Sequence, residues 1–359
     1  MVPKNTEITN PAQLLEMVNA FRVSRIILSA AELKVFDHLS GSAKASGDVA
    51  SLLRTDVRAT DRLLNALVSI GLLVKENHQF LNTPFSDKFL NSTSPAYMSG
   101  LALTNHTWKT WSTLTDAVKV GTSVYFEDPI NKRPEEWKQS FIAAMHRRAG
   151  PQAVEVADFL DLTNVKRILD VGGGSGAFTL EFLSRNPEMT GVVFDLPRIV
   201  GITEKYVNDT RYEIRDTRKV IPDPKSKRSG DRRSQSRIPD RISVKAGDYL
   251  KDDFGSGYDL VFMSAIIHIN SPEENQLLIR KGAEALNPGG QLVILDHIMN
   301  EDRTEPQVGA IFAINMLVGT KHGDTYTENE LKSWMLEAGL SDISQVTISS
   351  GVQLIMGGK

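Results

Sequence analysis

Asp170-Val171-Gly172-Gly173-Gly174-Ser175-Gly176 is the stretch that decides the fold. It follows the apolar run KRILDV and precedes FTLEFLSR, whose apolar residues recur at helical spacing. Strand, glycine-rich turn and helix, in that order, open a ligand-binding α/β unit. The glycines permit a tight turn and let a ligand approach the backbone. Gly172, Gly174 and Ala177 also satisfy the loose dinucleotide fingerprint, which alone is weak evidence.

Downstream, short apolar runs alternate with segments that can be helical. GVVFDL, RISVKAGD, YDLVFMS and QLVILDH join KRILDV as strands of a parallel sheet covered on both faces. ISQVTIS and GVQLIMGGK are separated by too few residues for a helical crossover, so they form an antiparallel hairpin. The expectation over residues 163–359 is a Rossmann-like α/β domain with a mostly parallel seven-stranded sheet and an antiparallel C-terminal hairpin. One stretch interrupts it: residues 209–241 are rich in Arg, Asp, Ser and Pro and read as a disordered surface insertion. From Arg211 to Arg241 there are eleven basic and five acidic residues, the balance of a solvated, charge-rich loop.

Upstream the pattern is helical. Residues 12–35 read as one amphipathic helix through Leu14, Leu15, Val18, Phe21, Ile26, Ile27 and Leu33. SGDVASLL and ATDRLLNALVSIGLL are further helices, and VKENHQFLNT is a small hairpin with Glu76-Asn77 near its tip. Helix, helix and hairpin suggest a winged helix over residues 1–100. From Gly41 to Leu90 six basic residues face five acidic ones, so the basic stripe that phosphate binding needs is absent. Packing or dimerisation fits better, and the apolar faces around Leu63, Leu64, Leu67, Ile70, Leu72 and Leu73 suggest a homodimer. Residues 101–162 look helical throughout, a linker that can also wall an apolar ligand pocket.

The whole chain bounds the function. Its 359 residues exceed one ordinary core. Net charge is −3, no apolar run is long enough for a bilayer, and MVPKNTEITNPAQLLEM lacks the features of a signal peptide. There is no cysteine, which excludes disulfides and thiolate chemistry and fits a reducing compartment. The expectation is a cytoplasmic protein with no nucleic-acid or membrane partner. No His, Asp and Glu share a trustworthy metal-ligand spacing.

Acids at the strand ends narrow the ligand. A pyrophosphate needs an electropositive cradle at the helix N-terminus, which Asp170 opposes. S-adenosylmethionine has no phosphate and carries a cationic sulfonium and ammonium, which a nearby acid favours. Asp195 closes GVVFDL, where a carboxylate can accept both ribose hydroxyls. Asp248 closes RISVKAGD, where it can accept an adenine amino group, with Tyr249 beside the ring. Each acid could equally be a turn former or helix cap. Three at successive strand ends match the rule that parallel sheets bind ligands at their carboxyl edge.

These motifs, with YDLVFMSAIIH ending at His268, ALNPGGQLVILD ending at Asp296 and the late TYTENELKSWMLEAGL, resemble the S-adenosylmethionine-dependent O-methyltransferases of the plant caffeic-acid and acetylserotonin type. The resemblance spans nearly the whole chain outside 209–241. It implies a winged-helix dimerisation domain, a class I methyltransferase domain and a small-molecule hydroxyl acceptor. It also places Gly172, Gly174, Gly176, Asp195, Leu196, Asp248 and Tyr249 at the cofactor. Ser264 stands where many plant members have a lysine. Asn105, His106, Trp108, Met145, Phe312, Asn315 and Met316 fall at acceptor-pocket positions, although such aromatic and methionine residues also suit a core. His268 falls on the family's general base.

A phenol titrates near ~10, so a histidine base helps remove its proton. Asp296 would orient that histidine, in place of the plant glutamate. The plant enzymes' second acid aligns with Thr325, and the residue after the base is Ile269, followed by Asn270, rather than an acid. These departures keep other chemistry on the same cofactor open, such as C-methylation, decarboxylation or hydroxylation. A ligand-sensing winged-helix regulator is a further alternative, and an NAD-dependent oxidoreductase is disfavoured by Asp170.

Overall fold

A computed structural model describes residues 7–98, 100–125, 135–208 and 238–359, and these form two units that divide after Ser112. In the first, Asn10 caps α1 (Pro11–Asn19) by accepting the Gln13 N–H, with Pro11 in the first turn. The single helix expected over 12–35 breaks at Ala20. There the Asn19 side chain donates to the Leu15 carbonyl and competes with the helix ladder. α2 (Phe21–Glu32), α3 (Val35–His38), β1 (Lys44–Ala45), α4 (Ser46–Leu53) and α5 (Val57–Ser69) follow. β2 (Leu73–Glu76) and β3 (Gln79–Asn82) form the hairpin, and β1 pairs on β3. The hairpin turn is Asn77-His78, one residue beyond the expected tip. Both residues are left-handed (φ 48° and 63°), as a two-residue type I′ turn requires. α6 (Pro84–Phe89) and α7 (Leu101–Trp111) complete this winged-helix unit.

Its core joins Phe36, Leu39, Leu64, Leu67, Leu73 and Phe80. That corrects one expectation: Leu64, Leu67 and Leu73 are consumed by the unit's own interior and have no surface left for a partner. The exposed apolar residues lie instead on the first two helices, at Leu14, Leu15, Met17, Val18, Phe21 and Val23.

The second unit begins with α8 (Leu114–Val120), closed by left-handed Gly121, and α9 (Glu135–Phe159), which carries Pro151 inside. The helical character expected over 101–162 falls on α7, α8 and α9, and 126–134 lies outside the described residues. Then come β4 (Arg167–Val171), α10 (Ala177–Arg185), β5 (Thr190–Asp195), α11 (Pro197–Asn208), β6 (Ile242–Ala246), β7 (Tyr258–Ser264), α12 (Pro272–Ala285) and β8 (Leu286–Asp296). β9 (Ile298–Met299), α13 (Gln307–Gly319), β10 (Tyr326–Thr327), α14 (Glu328–Glu337), β11 (Ser341–Thr347) and β12 (Gln353–Gly358) end the chain.

The main sheet has the order β11-β12-β8-β7-β4-β5-β6. β4 to β8 are parallel, and β11 and β12 are the antiparallel hairpin. Alternation places Leu169 and Val171 in one buried layer with residues of α12 and α14, and Ile168 in the other with residues of α9 and α10. The chain builds outward from β4 to β6, then returns to the other side of β4 with β7. That reversal opens a crevice at the carboxyl ends of β4 and β7.

The expected insertion at 209–241 falls mostly outside the described residues, but its last four do not fit the expectation. Ile238–Arg241 form a 3-10 turn, and Arg241 donates to the carbonyls of Leu183, Asn186 and Met189. These lie at the end of α10, where helix carbonyls need donors from elsewhere. Composition marked Arg241 as loop; the orphan carbonyls make it an anchor. Among the described residues, no helix is long and apolar enough to cross a membrane.

Candidate cofactor and acceptor site

The glycine strip turns β4 into α10 with Gly172, Gly174 and Gly176 all left-handed (φ 67°, 57° and 74°). Gly172 donates to Phe194 O at 2.8 Å. A Cβ at Gly172 would lie 2.6 Å from Ile266 Cγ2, so the loop after β4 lies against the segment after β7. Gly174 has open space where its Cβ would be.

Asp195 holds this loop from the end of β5. Its Oδ2 accepts the Gly174 N–H at 2.8 Å and its Oδ1 accepts the Leu196 N–H at 2.7 Å. Burial pushes its pKa up, and the two N–H bonds and Arg198 only partly offset that. Each oxygen keeps a lone pair for a further donor such as a ribose hydroxyl.

Asp170 is fully buried beneath the loop, on the α10 side of the sheet. Oδ2 accepts from Thr179 Oγ1 at 2.7 Å, while Oδ1 has no partner among the described residues. Burial pushes this carboxyl up to about 7; the Thr179 hydroxyl lowers it and Asp195 raises it further. Asp170 thus sits under the glycine strip with an oxygen to spare. Two acids bracketing one loop fit a cationic ligand and oppose a phosphate.

At the next strand end, Asp248 accepts from Leu250 N at 3.0 Å and Lys251 Nζ at 2.7 Å. Burial opposes ionisation, but these donors outweigh it and hold the carboxyl below its usual range. Tyr249 donates its hydroxyl to Asn270 Oδ1 at 2.9 Å, and its pKa is raised chiefly by burial. Asn270 follows Ile269, the residue after the base where an acid is missing. It also donates to Asn275 Oδ1 at 3.1 Å and accepts the Tyr326 hydroxyl at 2.5 Å. A neutral amide here clamps Tyr249 to the segment that carries His268.

That segment leaves β7 through half-buried Ser264 and left-handed Ala265 (φ 55°). His268 Nδ1 lies 2.8 and 2.9 Å from the two oxygens of Asp296, at the end of β8. Burial alone would push Asp296 up. The His268 ring and the His297 N–H outweigh it and keep the carboxyl below its usual range. Thr325, aligned with the missing second acid, is buried; its carbonyl accepts from Arg303 Nη1 at 2.6 Å.

The expected acceptor residues divide. In the first unit, Asn105 accepts from Arg25 and donates to Glu32, and Trp108 packs on Phe21 with Arg25 over its ring. His106 lies on the same helix, α7. In the second unit, Phe312 meets His268 edge-on, with ring centres 4.9 Å apart. Asn315 is half-buried, Met145 on α9 is exposed, and Met316 is buried as core. Two residues carried no sequence signal. His146 Nδ1 lies 2.8 Å from Ser175 Oγ in the glycine strip, with burial lowering its pKa. His297 packs on Phe312, with ring centres 4.4 Å apart.

A parallel sheet with a glycine loop, three strand-end acids and a histidine–aspartate pair at one crevice defines an enzyme of the nucleoside-cofactor α/β class. The comparisons carry this further. Residues 15–92 match the O-methyltransferase dimerisation domain, and residues 111–222 and 224–341 match the O-methyltransferase domain. The chain belongs to the O-methyltransferase family. It is 27% identical to a 3-hydroxy-5-methyl-1-naphthoate 3-O-methyltransferase of Streptomyces sahachiroi, covering 95% of this chain and 92% of that one. It is also 27% identical to the acetylserotonin O-methyltransferase of Gallus gallus, covering 94% of each. An O-methyltransferase family protein from Burkholderia thailandensis has the same fold: TM-score 0.82 at 24% identity, covering 98% of this chain and 99% of that one. Human N-acetylserotonin methyltransferase, solved with S-adenosylmethionine, gives 0.76 at 24% identity, covering 99% of each.

Proposed function

We propose that the protein methylates a hydroxyl of a small aromatic or polyketide-like molecule, with S-adenosylmethionine as donor and His268 as general base. The observation that carries this is the His268–Asp296 pair at the carboxyl edge, one turn of chain from the loop that touches Gly172. Bound S-adenosylmethionine supplies a methyl group on a cationic sulfur, an excellent leaving group. The chain's own residues do the rest. Gly172, Gly174 and Gly176 offer backbone at close range, Asp195 and Asp248 with Tyr249 hold the nucleoside, and Asp170 favours positive charge above it. His268 gives its Nδ1–H to Asp296, which leaves Nε2 to take the acceptor proton as the oxygen attacks. Asp296 fixes that tautomer and balances the imidazolium that results. Phe312 walls the acceptor side.

The test is methyl-labelled donor offered with a panel of phenols, quinols and polyketides. Labelled methyl ethers are expected. Label on carbon, or none on any acceptor while the donor binds, overturns the reading.

The protein is also proposed to act as a homodimer. The exposed apolar faces of α1 and α2 lie mostly within the matched dimerisation segment, and a second copy covers them. Light scattering at micromolar concentration is expected to give twice the 39.7 kDa chain mass. A clean monomer at that concentration removes the proposal.

A further inference from the structure

His297 is a buried histidine that the mechanism above does not use. It is only 6% exposed, and its Nδ1 is enclosed with no hydrogen-bond partner among the described residues. Its ring lies on Phe312, the same side chain that meets His268 edge-on. Both imidazoles therefore contact one benzene ring, with centres 4.9 and 4.4 Å from it. Its backbone N–H goes to Asp296 Oδ1, so the base pair and His297 share one support.

The ring is neutral. Burial pushes its pKa down to about 4; Asp296 opposes that, while Arg148 and His268 add to it. A neutral imidazole holds one N–H and one lone pair, and leaving the enclosed Nδ1 without a partner costs stability. Arg148 is close enough to act on His297, is exposed, and has no ion pair among the described residues. An imidazole N–H with a guanidinium near enough to act on it suits an acidic oxygen.

We propose that His297 is a specificity-determining residue that reads a second, acidic group on the acceptor, such as a carboxylate, away from the hydroxyl that is methylated. This rests on the assignment of the acceptor to the His268 side of the crevice. Phe312 carries the apolar body between the two polar ends, His268 meets the reacting hydroxyl, and His297 with Arg148 meets the acid. The missing partner of the buried imidazole is supplied by the substrate.

Calorimetry on the full chain, saturated with S-adenosylhomocysteine, tests this with naphthol and a set of hydroxynaphthoate isomers. At least one isomer is expected to bind ~10–100-fold tighter than naphthol, as for a hydrogen bond to a charged group. His297→Leu should erase that preference while S-adenosylhomocysteine affinity and naphthol affinity stay within about threefold of wild type, a change in binding too small to count as loss of such a bond. His297→Asn keeps a donor and should restore part of the preference; it also serves if the leucine variant folds poorly. A preference that survives in both variants, or no preferred isomer in wild type, overturns the proposal. Methyl transfer to naphthol is read separately in the same samples. Its absence tells against the His268 assignment, not against the binding preference.

Discussion

His268→Ala is expected to lower turnover by ~10²–10⁴-fold, the usual loss for a missing general base. The motive is geometric: Nδ1 is held by both Asp296 oxygens, and the remaining ring nitrogen is the one free to accept. Donor affinity should barely change, because the strip and the acids proposed to hold the nucleoside make no hydrogen bond to this ring among the described residues. Asp296→Asn should cost less, since it keeps an acceptor oxygen for Nδ1 and removes only the charge behind it. Single-turnover rates at saturating donor, beside donor affinity by calorimetry, make the check. Wild-type turnover in His268→Ala would mean that alignment alone carries the reaction. A collapse of donor affinity would move the residue to the cofactor side.

Gly172→Ala is the second large effect. The backbone there is left-handed, which costs a residue with a Cβ ~1–2 kcal/mol. The new carbon would also sit 2.6 Å from Ile266 Cγ2, in packed space. Forcing an extra carbon into such a place costs ~1–3 kcal/mol, so the total loss of stability is about 2–5 kcal/mol. Ile266 lies two residues before His268, so its displacement should lower turnover as well as donor affinity. Gly174→Ala is the control: it shares the left-handed backbone but meets nothing within 4 Å, so it should lose only the conformational part. Urea unfolding of both variants without donor measures the difference. Equal stabilities would show that Ile266 gives way freely and that the contact does not couple the two loops.

The central parallel strands were legible because a strand buried on both faces writes itself as a short apolar run, as KRILDV, GVVFDL, YDLVFMS and QLVILDH do. The order of those runs also placed Gly172, Asp195, Asp248 and His268 near one edge. The partners of these residues were not legible. Asp195 to Gly174, Tyr249 to Asn270 and Ser175 to His146 span 21 to 29 residues, and they depend on side-chain direction after packing. Local sequence misled in two places. Asn19 broke a helix that periodicity carried through, because one side-chain amide competed with the ladder. Leu64 and Leu67 looked like spare apolar surface, yet they share a core with Phe36 and Leu39, some way back along the chain, and with the hairpin that follows. Asp248 was legible as a strand-end carboxylate; that Lys251, three residues on, donates to it was not.

The Arg241 anchor has an engineering consequence. By gripping three carbonyls at the end of α10 immediately before β6, it fixes where that strand must begin, whatever length of chain precedes it. Closure entropy grows only slowly with length, by ~0.6 kcal/mol per doubling of a loop, so with the strand's entry pinned, changing the number of residues between Asn208 and Ile238 is expected to leave the register of the sheet untouched. This is a natural port in the fold, where an engineer can splice in a reporter domain without redesigning the site.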